Sequence, residues 1–62
     1  MKPSLRVVVA EDEALIRLDL VEMLTEAGYE VVAQATNGVE AIALAKEFKP
    51  DLAILDVKMP EL

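Results

Sequence analysis

Three carboxylates stand where a parallel α/β sheet would gather them. Glu11 and Asp12 directly follow one apolar run, and Asp56 closes another. Carboxylates brought together repel, so a cation must offset their charge or one of them must hold a proton. A hard divalent ion with oxygen ligands and several retained waters suits such a set, and Mg²⁺ is the natural choice. Glu11 and Asp12 are adjacent, so they cannot face the same way along an ideal strand. At a strand end, one can bind directly and the other through water. A bound divalent ion can bridge a carboxylate and a transferring phosphoryl group. Asp56 then becomes a candidate nucleophile toward phosphorus, as in aspartyl-phosphate chemistry. A plainer reading stands beside this one. In it, Asp12 is an N-cap, Glu11 a first-turn charge and Asp56 a solvated strand-end charge.

Other phosphate chemistry fits less well. Folds that cradle a nucleotide place glycine and bare backbone N–H groups after the first strand. Here the corresponding residues are Ala10-Glu11-Asp12-Glu13. A metal-dependent phosphatase or nuclease of similar layout calls for carboxylates spaced Asp-x-Asp. Neither Asp56-Val57-Lys58 nor Glu11-Asp12-Glu13 supplies that pair.

Five elements must position the acidic residues. Leu5–Ala10 is short, β-branched and nearly continuous in apolar character, which predicts a strand buried on both faces. Asp12 is a plausible N-cap and Glu13 a first-turn carboxylate for a helix from about Glu13 to Ala27, stopped by Gly28 at C′. Tyr29–Ala35 reads as a more mixed strand, nearer an edge. Asn37 caps a second helix, with Glu40 placed as in a capping box. That helix runs to about Phe48, and Pro50 ends it. Asp51–Asp56 reads as a third buried strand, and Lys58-Met59-Pro60 as a loop. The order β-α-β-α-β implies right-handed crossovers and a parallel sheet. The most apolar strand belongs in the centre, giving the order 2-1-3. Ligands of such sheets sit beyond the carboxyl ends of the strands, at the point where the strand order reverses.

The first helix carries more apolar surface than one sheet contact needs. Ile16, Leu20 and Leu24, with Met23 and Ala27, form one stripe; Ala14, Leu18 and Val21 form another. Either the sheet is curved and takes both, or one flank covers a neighbour. Arg17 interrupts the arc, with Glu13 and Asp19 as possible ion-pair partners. Met23, Met59 and Tyr29 read as packing residues.

Composition narrows the classes. Six Lys and Arg against twelve Asp and Glu give a formal net charge of −6 in 62 residues. That balance opposes a nucleic-acid binder held by phosphate contacts, and an anionic membrane surface as partner. A hydrophobic fraction of 55% is too high for a disordered acidic tail. Cysteine and histidine are both absent, which removes thiolate and imidazole chemistry. No apolar run is long enough to span a membrane or resembles a signal peptide, so the chain is expected in the cytoplasm. A domain this short buries only about 60% of its unfolded surface, and self-association or a larger context is expected to stabilise it.

Taken together, Val7-Val8-Val9-Ala10-Glu11-Asp12-Glu13, the Gly28-Tyr29 helix end, Asn37-Gly38-Val39-Glu40-Ala41 and Pro50 through Pro60 closely resemble the receiver domain of two-component response regulators. The resemblance runs from about residue 5 to 62. It implies a flavodoxin-like (CheY-like) α/β fold, of which residues 1–62 are the first half: one truncated receiver domain with a three-stranded parallel sheet of order 2-1-3. Two more strands and three more helices would complete it. With them would come a hydroxyl residue and a lysine that in the family contact the phosphoryl group. The resemblance implies that Asp56 is a phosphoacceptor, and that the module is a signalling acceptor rather than an enzyme. It implies that Glu11 and Asp12 are the acidic pair for Mg²⁺, with the Lys58 backbone carbonyl as a further ligand. A sensor histidine kinase is the implied partner. The wording Glu11 through Leu20 is similar to the subgroup whose receivers precede an RNA-binding antitermination domain. The alternative is a non-catalytic half-domain that self-associates as a homodimer or higher oligomer, joining third strands across a two-fold axis.

Overall fold

The computed structural model describes residues 4–56. The Lys58-Met59-Pro60 segment, and with it the Lys58 carbonyl, lies outside the described residues. The elements are β1 (Arg6–Glu11), α1 (Ala14–Glu26), β2 (Glu30–Ala35), α2 (Gly38–Phe48) and β3 (Leu52–Asp56). The three strands form one parallel sheet in the order β2-β1-β3. The parallel order is the one the residue pattern predicts, and these are the opening strands and helices of the flavodoxin-like (CheY-like) fold that the resemblance implies.

β1 is central because it alone can be buried on every side. Val7, Val8, Val9 and Ala10 are each fully buried. Right-handed crossovers put α1 and α2 on opposite faces of the sheet, and the helices do not meet. α1 lies against β1 and β2; α2 reaches all three strands. On the α2 side, Ala10, Ala35 and Ala41 form the buried cluster, with Leu44 packed against it. Small residues there let helix and sheet approach closely.

β3 departs from the expectation of a buried strand. Leu52 and Leu55 are 43% and 61% exposed. The apolar run fits a buried strand, but burial needs a helix over each face and a strand on each side. α1 does not reach β3, α2 touches it less than it does β1 or β2, and β3 forms one edge of the sheet. β2 forms the other edge, as expected, and Val32 is an extra residue there: the pairing with β1 shifts between Val31 and Ala33.

The seating of α1 also differs from either predicted stripe. Its half-buried residues are Arg17, Leu20, Val21 and Leu24, a single face drawn from both stripes. Leu15, Ile16, Leu18 and Met23 are exposed, and no residue of α1 is fully buried. The apolar arc is therefore wider than the contact the sheet offers.

The helix ends follow the chain chemistry with two adjustments. Glu13, rather than Asp12, occupies the N-cap position of α1, and its side chain makes no cap bond. Glu13 therefore precedes the first turn. The Glu11 carboxylate accepts the Glu13 N–H and so delays the helix by a residue. At the other end Gly28 has φ +99°, the left-handed conformation that glycine adopts without a Cβ penalty. Gly28 N–H donates to the Thr25 carbonyl and Tyr29 N–H to that of Leu24, the two bonds of a Schellman stop. In α2 the Asn37 side chain accepts from Glu40 N–H at 2.8 Å. In return the Glu40 carboxylate accepts from the N–H of Thr36, one residue earlier than in a capping box. Lys49 ends α2 in the left-handed conformation, φ 47° and ψ 60°, with its N–H donating to the Ala45 carbonyl.

Candidate functional site

The site is built from the amino end of the sheet upward. Asp51 N–H donates to the Arg6 carbonyl at 2.8 Å, and Arg6 N–H returns a bond to the Asp51 carboxylate at 2.8 Å. This reciprocal clamp sets β3 level with β1 before either strand has begun in earnest. From Val7 opposite Leu52 the pairing then continues without a shift to Glu11 opposite Asp56. An equal count of residues in two parallel strands thus delivers both carboxylates to the same rung of the carboxyl edge. Strand neighbours lie about 4.8 Å apart, and paired residues of parallel strands project to the same face.

That face is the one covered by α1. Ala10 belongs to the cluster under α2, so the strand alternation turns Val7, Val9 and Glu11 the other way. Glu11 is the only buried charged residue among the described residues, at 4% exposure. Its Oε2 accepts the Glu13 N–H at 2.9 Å. Asp12 follows on the turn and is exposed, as is Asp56. Asp12 hydrogen-bonds to the Glu11 carboxyl through its side chain.

These surroundings set the protonation of Glu11. The Glu13 N–H is the largest single influence and draws its carboxyl down. Against it act the side-chain bond to Asp12, burial, and the charges of Asp56 and Asp12; together they leave it raised above its ordinary value of 4.5. A carboxyl raised in the folded state stabilises the fold below its unfolded pKa, and that contribution is lost as pH rises through the folded value. Glu11→Gln keeps an acceptor for Glu13 N–H and removes the charge. Without added metal, its unfolding midpoint at pH 7 is expected to exceed that of the wild-type chain, with the gap closing below about pH 4.3. Thermal melts at the two pH values check this; equal midpoints at pH 7 would contradict it.

Among the described residues no three acidic side chains form a ready-made metal cage. The donor set nevertheless fits Mg²⁺. That ion is commonly held by one or two carboxylates with several waters retained, and Glu11 with Asp56 supplies two hard oxygen donors on one rung. The charges of Asp56 and Asp12 that help to raise the Glu11 carboxyl are charges that a cation would offset.

Two residues help to build the site without standing out as site residues in the sequence. Asp51 reads there as the first residue of a strand, whereas its carboxylate sets the register. Arg17 was expected to pair with Glu13 or Asp19; instead its Nη1 donates to the Glu11 carbonyl at 2.7 Å. The signal for Arg17 was its interruption of an apolar arc. Asp51 carries no comparable signal, because a carboxylate before a strand is common at any turn.

Comparison with known proteins bears on this arrangement. Residues 7–62 match the response regulator receiver domain family. The chain is 66% identical over 55 residues to the transcriptional regulatory protein PdtaR of Mycobacterium tuberculosis, covering 89% of this chain and 27% of that protein. It is 47% identical over 57 residues to the chemotaxis protein CheY of Thermotoga maritima, covering 92% of this chain and 48% of that one. It is also 48% identical over 58 residues to a protein-glutamate methylesterase/protein-glutamine glutaminase of Archaeoglobus fulgidus, covering 94% of this chain and 17% of that protein. The chain thus spans less than half the length of each of these three relatives.

Proposed function

Because the chain belongs to the response regulator receiver domain family, we propose that Asp56 accepts a phosphoryl group from a sensor histidine kinase, with Glu11, Asp12, Asp56 itself and the Lys58 carbonyl holding Mg²⁺. The observation that carries this reading is the pairing of Glu11 with Asp56 at the carboxyl edge. Bound Mg²⁺ would neutralise charge developing on the transferred group. The chain's own part is to present a nucleophile. Asp56 is exposed at the strand end, where a donor can approach. One of its carboxylate oxygens forms the new P–O bond as the P–N bond to the donor histidine breaks, and the electron pair stays on that nitrogen. Glu11, fixed beneath by the Glu13 N–H, remains beside the attacking group. Such a chain is a signalling acceptor working in the cytoplasm. The likeness to a transcriptional regulatory protein suggests transcription as the process it feeds.

The test is intact mass after incubation with Mg²⁺ and a small phosphodonor. A gain of about 80 Da, one phosphoryl group, supports the reading. An unchanged mass in a folded chain that binds Mg²⁺ sinks it.

A second reading, self-association as a homodimer, has its own support. Leu52 and Leu55 on β3 and Val39 and Ile42 on α2 are all exposed, and β3 presents an unpaired edge. Uncovered apolar surface and open strand edges favour pairing with a second copy. Light scattering is expected to give twice 6.8 kDa or more. A monodisperse monomer at the concentrations of the phosphorylation assay would exclude this reading.

A further inference from the structure

Arg17 is out of place by the rules that govern the rest of α1. It lies on the sheet-facing side with Leu20, Val21 and Leu24, and is half-buried there. A leucine or methionine would seal that contact without the cost of withdrawing a charge from water. It also stands one turn into the helix, near the positive end of the helix dipole, where a cation is disfavoured. Helix stability and packing therefore both argue against an arginine here. What the residue gains is a bond from Nη1 to the carbonyl of Glu11, at 2.7 Å. The side chain starts from the sheet-facing side of α1 and its head reaches the end of β1, as long basic side chains can.

That carbonyl is a critical one. Glu11 is the last residue of β1, and its carbonyl belongs to the peptide that leads into Asp12 and the turn toward α1. Fixing the peptide plane fixes the direction in which both carboxylates leave the backbone.

We propose that Arg17 is a positioning residue for the acidic site: its bond to the Glu11 carbonyl locks the β1–α1 turn, holding Glu11 level with Asp56 and Asp12 beside them. The functional half of this inference rests on reading Glu11 and Asp12 as Mg²⁺ ligands. The structural half does not.

The experiment compares the 62-residue chain with Arg17→Met, which keeps the length of the stem and removes the donors, and Arg17→Lys, which keeps a charged donor. Amide hydrogen exchange is measured without metal. The readout is Glu13 N–H, protected by the Glu11 carboxylate, relative to the core amides of Val8 and Val9. Mg²⁺ affinity is then measured from amide shifts of Glu11, Asp12 and Asp56. Arg17→Met is expected to speed the relative exchange of Glu13 by about tenfold or more, the equivalent of one charge-assisted hydrogen bond. It is expected to weaken Mg²⁺ binding by about tenfold, as loss of an orienting partner does. Arg17→Lys is expected to recover part of both. Unchanged relative exchange and unchanged affinity in Arg17→Met overturn the proposal, whatever happens to the melting temperature. Should the wild-type chain itself bind no Mg²⁺, the metal reading falls, and Glu13 exchange alone decides whether Arg17 holds the turn.

Discussion

Asp56→Asn is expected to abolish phosphoryl uptake altogether. Asparagine matches aspartate in size and can occupy the end of β3 without disturbing its pairing with Glu11. Its amide has no anionic oxygen to form an acyl phosphate, so the mass gain of the wild-type chain should disappear rather than diminish. Loss of the Asp56 charge also removes one of the influences raising the Glu11 carboxyl. The asparagine variant should therefore be at least as stable as the wild type at neutral pH, which separates a lost nucleophile from a lost fold. Asp56→Glu sharpens the point. It keeps a carboxylate but moves it by one methylene, and a displacement of about 1 Å can cost around a hundredfold in rate. Intact mass against time, with the unfolding midpoint as control, distinguishes these outcomes. Uptake by Asp56→Asn at the wild-type rate would transfer the acceptor role to another carboxylate, Glu11 or Asp12 being nearest.

Val8→Asp is expected to eliminate cooperative unfolding, while the same change at Leu55 is expected to be mild. Val8 is fully buried in the central strand, with a strand on each side. A carboxylate placed there has no partner and costs several kcal/mol. Stability scales at roughly 0.05–0.15 kcal/mol per residue, which gives a chain of this length about 3–9 kcal/mol in total. The substitution therefore consumes most or all of it. Leu55 lies one strand away and is 61% exposed. A carboxylate at that position stays hydrated, and the expected change is within about 1 kcal/mol. Circular dichroism melts of the two variants decide the matter. A cooperative Val8→Asp melt near the wild-type midpoint would contradict the burial of β1. Comparable damage at Leu55 would show that the outer face of β3 is covered in solution, as the homodimer reading expects.

Much of the architecture was legible in the residues because it is encoded locally. The β-branched run at Val7-Val8-Val9 can only be a strand buried on both sides, and that places it at the centre of the sheet. Gly28 marks the left-handed stop of α1, and Asn37 the cap of α2, since each serves a backbone requirement within a few residues of itself. The strand order 2-1-3 follows from the handedness of the crossovers together with the position of the apolar strand. From these alone, Glu11 and Asp12 belong at the same end of the sheet as Asp56.

What the order of residues could not express is coverage and register. An apolar run looks alike whether or not something lies over it, so Leu52 and Leu55 read as buried although α1 stops short of β3 and α2 touches β3 less than the other strands. A helix with apolar residues around much of its circumference does not announce which arc it will seat, and α1 seats the one containing Arg17. The pairing of Glu11 with Asp56 depends on the clamp between Arg6 and Asp51, a contact between residues 45 apart in the chain. The chain alone singled out the candidate acidic side chains and the end of the sheet to which they belong. Only the tertiary structure decided that two of them share a rung, that Glu11 is buried there with its carboxyl raised, and that an arginine from the helix holds its peptide. Each of those depends on distances between segments remote in the chain, which are set when the sheet and its helices pack together.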